Sequence, residues 1–334
     1  MNILTERLID YKTQSKYIRH FMEDVDCGLN SVPKFIPSKY FYDEKGSNLF
    51  KEITKLPEYY PTESERGILK SYSDQIISDT LVNIPANKKL NIIELGAGDS
   101  DKPYYLIDAL IKTNHKFTYN AIDISPDALQ DFEFNLKKKY ENIDFNGIAG
   151  EYFNTLKHLE EDQSCRNLVL FLGSNIGNLD ENQATKFLSH LKDCMNPGDF
   201  ILIGFDLVKD MGTMISAYSD PDGITEQFNL NLLVRINKEL GANFNINNFF
   251  HYATYNALKG AMESFLISKK YQKINIDLLN SNYEIEEYEA IHTEYSFKYT
   301  HKQIQELVVN CGFKITDKFL DKRNYFTNYL LTCD

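Results

Sequence analysis

With 334 residues, 43% of them hydrophobic and 25% charged, the chain is long enough for a full α/β domain plus a smaller elaboration, and this composition excludes extended disorder over most of it. A net charge of −12 without any cluster of Lys and Arg excludes a general nucleic-acid surface, because phosphate binding draws on grouped cations. No apolar run is long enough for a membrane span, the N-terminus is too polar for a signal peptide, and five scattered cysteines without C-x-x-C fit reduced thiols in a cytoplasmic protein.

In chain order, the pattern predicts an amphipathic helix over 16–27, an extended segment SVPKFIPSKYFYDEKGS punctuated by Pro33 and Pro37, and a helix over 64–81. A regular alternation follows: strand 90–95, helix 103–113, strand 117–122, helix 126–140, strand 144–149, helix 152–160, strand 167–173, helix 181–195 and strand 199–207. Such βαβ alternation implies a parallel sheet with helices on both faces and a ligand site beyond the C-terminal strand ends. After Asp210 the rhythm breaks. Residues 211–285 read as mostly helical, over 225–240 and 247–260, with candidate strands at 262–271 and 289–299. The helix HKQIQELVVNCG and a strand pair, KITDKFLD and YFTNYLLTC, close the chain.

The word NIIELGAGDSDK, Asn91 to Lys102, reads as a buried strand followed by a sharp turn at Gly96 and Gly98, where the backbone approaches a ligand without Cβ interference. The next strand delivers Asp123, an acceptor-only carboxylate placed for two ribose hydroxyls. No third glycine stands at the dinucleotide spacing, and Asp99 would repel a pyrophosphate, so S-adenosylmethionine is favoured over NAD. Its cationic sulfonium tolerates an acidic mouth formed by Glu94, Asp99 and Asp101. Taken alone, G-x-G also fits an α/β domain whose first turn is merely tight. The dispersed histidines point to no metal site.

Three further groups carry more functional residue types than packing requires. Tyr40, Tyr42, Tyr59 and Tyr60 flank acidic groups and Pro61, and read equally as a pocket rim or as packing of the N-terminal segment. The loop after the fourth strand, GSNIGN, presents Gly173, Ser174, Asn175, Gly177 and Asn178 where a substrate should meet the cofactor. An amide such as Asn178 accepts from an amine and donates to a carboxylate, which suits an amino acid. The competing reading is that one of these residues caps the helix beginning near Asp180. In IHTEYSFKY, strict alternation puts Glu294, Ser296 and Lys298 on one face, which reads either as the wet side of a surface strand or, if buried, as a face where Glu294 and Ser296 bind a side chain with N–H donors.

Together these words resemble the histidine-specific Nα-methyltransferase family of the ergothioneine pathway, which has fungal relatives acting on tryptophan derivatives. The resemblance runs through PKFIPSKYFYD, LPEYYPT-x-x-E, ELGAGDSDK, FLGSNIGNL, IGFDLVKD, AYSDPDGIT and TEYSFKY, most of residues 33–299. It implies a Rossmann-like class I methyltransferase sheet, residues 63–209 with 300–334, binding S-adenosylmethionine, and a smaller α+β substrate domain, residues 1–62 with 210–299. It places the cofactor against Gly96, Gly98, Lys102 and Asp123, with Glu151 and Tyr152 near the adenine. Tyr59, Asn178 and Tyr218 would hold the amino-acid head group, Tyr42 would lie near the methylated amine, and Glu294 and Ser296 would recognise the imidazole. One departure stands out: Ser264 occupies a position where bacterial members carry a methionine lining the side-chain pocket. The implied enzyme is a monomer methylating the α-amine of L-histidine to the trimethyl betaine, without metal. The rivals are the same chemistry on another amino acid, such as tryptophan or an imidazole derivative, and a nucleoside-binding protein without turnover.

Overall fold

The computed structural model describes residues 3–82, 84–85, 88–98, 101–123, 126–150 and 165–333. The chain forms two compact units, residues 60–209 with 297–334 and residues 1–59 with 210–296.

The first unit is built on β2 (Lys89–Leu95), β3 (Phe117–Asp123), β4 (Phe145–Ala149), β5 (Cys165–Phe171), β6 (Phe200–Asp206), β12 (Phe313–Leu320) and β13 (Phe326–Cys333). They form one sheet in the order β12-β13-β6-β5-β2-β3-β4. Strands β2 to β6 run parallel, while β13 is antiparallel to both β6 and β12. This order, with its reversed penultimate strand, is the class I methyltransferase sheet. The central strands are continuously apolar because helices cover both faces. Ile92 and Leu170 join the core under α3 (Tyr60–Leu81), α4 (Pro103–Thr113) and α5 (Pro126–Lys139). Their neighbours Ile93 and Val169 join the core under α6 (Glu181–Asp193) and α9 (His301–Asn310). Strand order reverses at β2, between β3 and β5, so the turns after β2 and β5 flank the switch point where such sheets bind ligands.

The second unit packs α1 (Ile3–Asn30), α2 (Glu44–Ile53), α7 (Met211–Ser216) and α8 (Ile224–Leu240) with two small sheets. The larger has the order β1-β11-β8-β7, from β1 (Lys34–Phe35), β7 (Phe249–Asn256), β8 (Ala261–Ser268) and β11 (Ala290–Phe297); β9 (Gln272–Ile276) pairs with β10 (Ser281–Ile285). Their core joins Phe21 and Val25 of α1, Leu232 and Ile236 of α8, and Leu266 and Ile291 of the sheet.

Two expectations are corrected here. Residues 247–260 are not a helix but β7 and the turn into β8, and 241–285 is mostly strand. FFHYATYN is rich in Phe and Tyr, and its pairing with AMESFLIS outweighs the helical spacing seen in the sequence. Helix α2 was not anticipated; Asp43 starts it by accepting from Gly46 N–H at 2.7 Å. The helix expected over 152–160 lies outside the described residues. Among the described residues, no helix is long and apolar enough to cross a membrane.

Candidate active site

The turn after β2 is held from the end of β3. Gly96 and Gly98 have φ of 73° and 51°, left-handed values that glycine adopts without strain. Gly96 N–H donates to Ile122 C=O at 2.8 Å, and Gly98 N–H to Asp123 Oδ2 at 3.0 Å. The Asp123 carboxylate is thereby fixed beside the turn. Lys102 occupies the N-cap position of α4 without a capping hydrogen bond, and its ammonium donates to Glu65 Oε2 at 2.7 Å, with side-chain exposures of 12% for Lys102 and 0% for Glu65. Asp99, Glu151 and Tyr152 lie outside the described residues.

The acidic mouth expected from Glu94, Asp99 and Asp101 is corrected. Glu94 is buried in β2 and accepts from the Tyr119 hydroxyl at 2.6 Å. Burial pushes its carboxyl up to about 8, against the Tyr119 hydrogen bond and the Lys102 charge, so it is mainly protonated at neutral pH. Asp101 pairs with Arg66 at 3.0 Å.

In the turn after β5, Gly173 N–H donates to Glu65 Oε2 at 2.7 Å, which leaves the Gly173 carbonyl as its acceptor. Ser174 Oγ accepts from Asp206 N–H at 3.1 Å. Asn175 to Asn178 form one 3₁₀ turn that leaves Asn178 exposed. None of the Ser and Asn residues of this loop caps α6. Asp180 does, in a capping box with Gln183. At the end of β6 a buried cluster forms: Asp206 accepts from Tyr60 at 3.0 and 2.9 Å, pairs with Lys298 at 3.0 Å, and is bonded by Lys209.

In the second unit, aromatic contacts join several of the expected residues. Tyr42 lies edge-on to Phe50 with ring centres 5.6 Å apart, Phe50 meets Tyr59 at 6.1 Å, and Tyr59 meets Tyr218 at 6.3 Å. The Tyr218 hydroxyl donates to Ser296 Oγ at 2.7 Å. The four tyrosines near the N-terminus therefore divide. Tyr40 packs against Phe21 and bonds Asp24, Tyr60 belongs to the Asp206 cluster, and Tyr42 and Tyr59 stand in the aromatic series. Ser264 is 2% exposed, and its carbonyl and Asn229 Oδ1 share the single Thr293 hydroxyl proton, with Oγ1 3.0 and 2.9 Å away.

Strict alternation along β11 is corrected too. Its buried residues are Ile291, Thr293 and then Ser296, and the rings of His292 and Tyr295 meet at 3.9 Å although an odd spacing, with two residues between them, would put them on opposite faces. The phase slips by one residue, so Ser296 keeps the buried side with Thr293 while Glu294 is half-buried.

The profile of a family described as "Histidine-specific methyltransferase, SAM-dependent" matches residues 21–333. Histidine N-alpha-methyltransferase of Mycobacterium tuberculosis is 37% identical over 277 residues, 83% of this chain and 83% of its own length. The enzyme of the same name from Mycolicibacterium smegmatis is 34% identical, over 97% of this chain and 98% of its own. Ergothioneine biosynthesis protein 1 of Schizosaccharomyces pombe is 31% identical, over 89% of this chain and 39% of its own.

The chain belongs to the histidine-specific, S-adenosylmethionine-dependent methyltransferase family.

The residues present fit the family's cofactor. The Asp123 carboxylate at a strand end suits a ribose diol, and the Lys102 ammonium suits a carboxylate. With Glu94 largely neutral and Asp101 paired, the turn does not depend on anionic charge from either. Glu65, Asp206, Lys209, Lys298 and Asn328 have no role assigned from the sequence alone. One signal was available: Glu65 lies on the face of α3 that carries the buried Ile68 and Leu69, where a charge needs a partner.

Proposed function

We propose that this enzyme transfers methyl groups from S-adenosylmethionine to the α-amino nitrogen of L-histidine, to the trimethyl betaine, acting as a cytoplasmic monomer. The observation that carries the reading is the tie between Tyr218 and Ser296, within an aromatic series that also holds Tyr42 and Tyr59, in a chain of the histidine-specific family.

The cofactor supplies an electrophilic methyl group. Asp123 accepts from its ribose hydroxyls, Lys102 pairs with its carboxylate, and the Gly96–Gly98 turn lets the backbone approach. Tyr59, Tyr218 and Asn178 hold the amino-acid head group, and the Gly173 carbonyl is a further acceptor for it. Tyr42 stands near the amine, where its hydroxyl and ring orient the nitrogen lone pair. Glu294 and Ser296 accept from and donate to the imidazole, and Ser264 bounds its pocket.

Free histidine is mostly protonated at its amine near neutral pH, so the site selects the neutral amine or takes its proton. No covalent step on the protein is needed. The residues contribute alignment and exclusion of water, for which effective molarity is the measure.

Titration calorimetry in the presence of S-adenosylhomocysteine tests this reading. L-Histidine binds, whereas histamine, which lacks the carboxylate, imidazolepropionate, which lacks the amine, and L-tryptophan bind weakly. Tryptophan binding more tightly than histidine would overturn it.

A further inference from the structure

Glu65 is fully buried on α3, at a position where an apolar side chain is the default. Three donors from three different parts of the unit hold its carboxylate. Lys102 Nζ at 2.7 Å comes from the cap of α4, Gly173 N–H at 2.7 Å from the turn after β5, and Asn328 Nδ2 at 2.9 Å from β13. Lys102 and Gly173 donate to the same oxygen, Oε2, while Asn328 takes Oε1. The sheet also leaves room for this side chain. Asn328 faces Gly204 across the β6–β13 ladder, and a Cβ on Gly204 would lie 2.3 Å from Glu65 Oε1. Gly204 does not have a positive φ, so space rather than torsion calls for glycine there.

We propose that Glu65 is a positioning residue for methyl transfer. Its Oε2 holds the Lys102 ammonium and the Gly173–Asn178 turn on one atom, so the group that meets the cofactor and the turn that meets the amino acid are set in register. The proposal rests on the assignment of Lys102 to the cofactor and Asn178 to the amino acid. A carboxylate that served packing alone would alter stability and leave binding and turnover of the folded enzyme unchanged.

The test is a double-mutant cycle over Glu65→Gln and Lys102→Met on the full chain, with folding checked by thermal melting. Affinity for S-adenosylhomocysteine is read by calorimetry and kcat with histidine by product formation. Glu65→Gln weakens S-adenosylhomocysteine binding by about tenfold, the scale of a hydrogen bond to a charged group. In the Lys102→Met background the same change moves that affinity by less than about twofold, because the shared partner is gone, yet it still lowers kcat through Gly173. Equal effects on affinity in both backgrounds overturn the proposal, as do wild-type affinity and kcat in a folded Glu65→Gln enzyme. If Lys102→Met binds S-adenosylhomocysteine like wild type, the cofactor assignment fails and the proposal with it. If Lys102→Met weakens binding while Glu65→Gln does not, the proposal alone fails. Should Glu65→Gln not fold, Glu65→Asp keeps the charge and withdraws the oxygens by one methylene. It is expected to shift both readouts in the same direction, and wild-type values overturn the proposal.

Discussion

The Tyr218 hydroxyl donates to Ser296 Oγ at 2.7 Å, and both side chains are buried. The residue assigned to the head group of the amino acid and one assigned to its imidazole thus form a single hydrogen-bonded pair. Tyr218→Phe and Ser296→Ala are each expected to raise KM for histidine by about fivefold, the scale of one buried hydrogen bond. The double variant should fall well short of the product of the two effects. Steady-state kinetics on all four enzymes checks this, and fully multiplicative effects would count against the pairing.

The Asp123 carboxylate, proposed to meet the ribose, also accepts from Gly98 N–H. Asp123→Asn should weaken S-adenosylhomocysteine binding by about tenfold. Asp123→Ala should cost more, because the Gly98 donor also loses its acceptor. Calorimetry distinguishes these outcomes from an unchanged affinity, which would remove Asp123 from the cofactor site.

Glu94 ties stability to pH. Burial raises its carboxyl from 4.5 to about 8, so the folded protein retains a proton that the unfolded chain releases. Stability from this group is full below the unfolded value and is lost as pH rises through the folded one, a change on the order of 5 kcal/mol across the window. Glu94→Gln keeps the Tyr119 hydroxyl supplied with an acceptor and cannot ionise. Denaturant unfolding at several pH values should show a flatter profile for the variant between 4.5 and about 8. Parallel profiles would contradict this account of Glu94.

Asp206 holds two buried lysines, with Lys209 3% and Lys298 0% exposed. Burial draws Lys209 down to about 8 despite the carboxylate beside it. Asp206→Ala deprives both cations of their shared partner and should destabilise the fold by about 3 kcal/mol or more. Lys298→Met, which leaves the Asp206–Lys209 pair intact, should cost less. Urea unfolding compares the two.

The parallel sheet was legible because its strands are short apolar runs separated by amphipathic helices, and Gly96, Gly98 and Asp123 mark the switch point by residue type alone. The β7–β8 hairpin was not. Its aromatic residues also fit a helical spacing, and the partner strand that decides the matter is a tertiary fact. The start of α6 did have a local signal, since Asp180 followed three residues on by Gln183 is a capping-box pattern, whereas nothing local shows that β11 slips phase at Glu294. Glu65, Gly204 and Asn328 are far apart in sequence and meet only in the folded sheet unit, so their relationship could not be read before the structure.

Methyl transfer to the α-nitrogen of histidine underlies the residue assignments above. Its most direct test is to incubate the enzyme with L-histidine and S-adenosylmethionine, then locate the added methyl groups by tandem mass spectrometry. The expected product is histidine carrying whole methyl units on Nα alone, progressing to the trimethyl betaine. Methyl groups on the imidazole, or unchanged histidine alongside a methylated different amino acid, would contradict it.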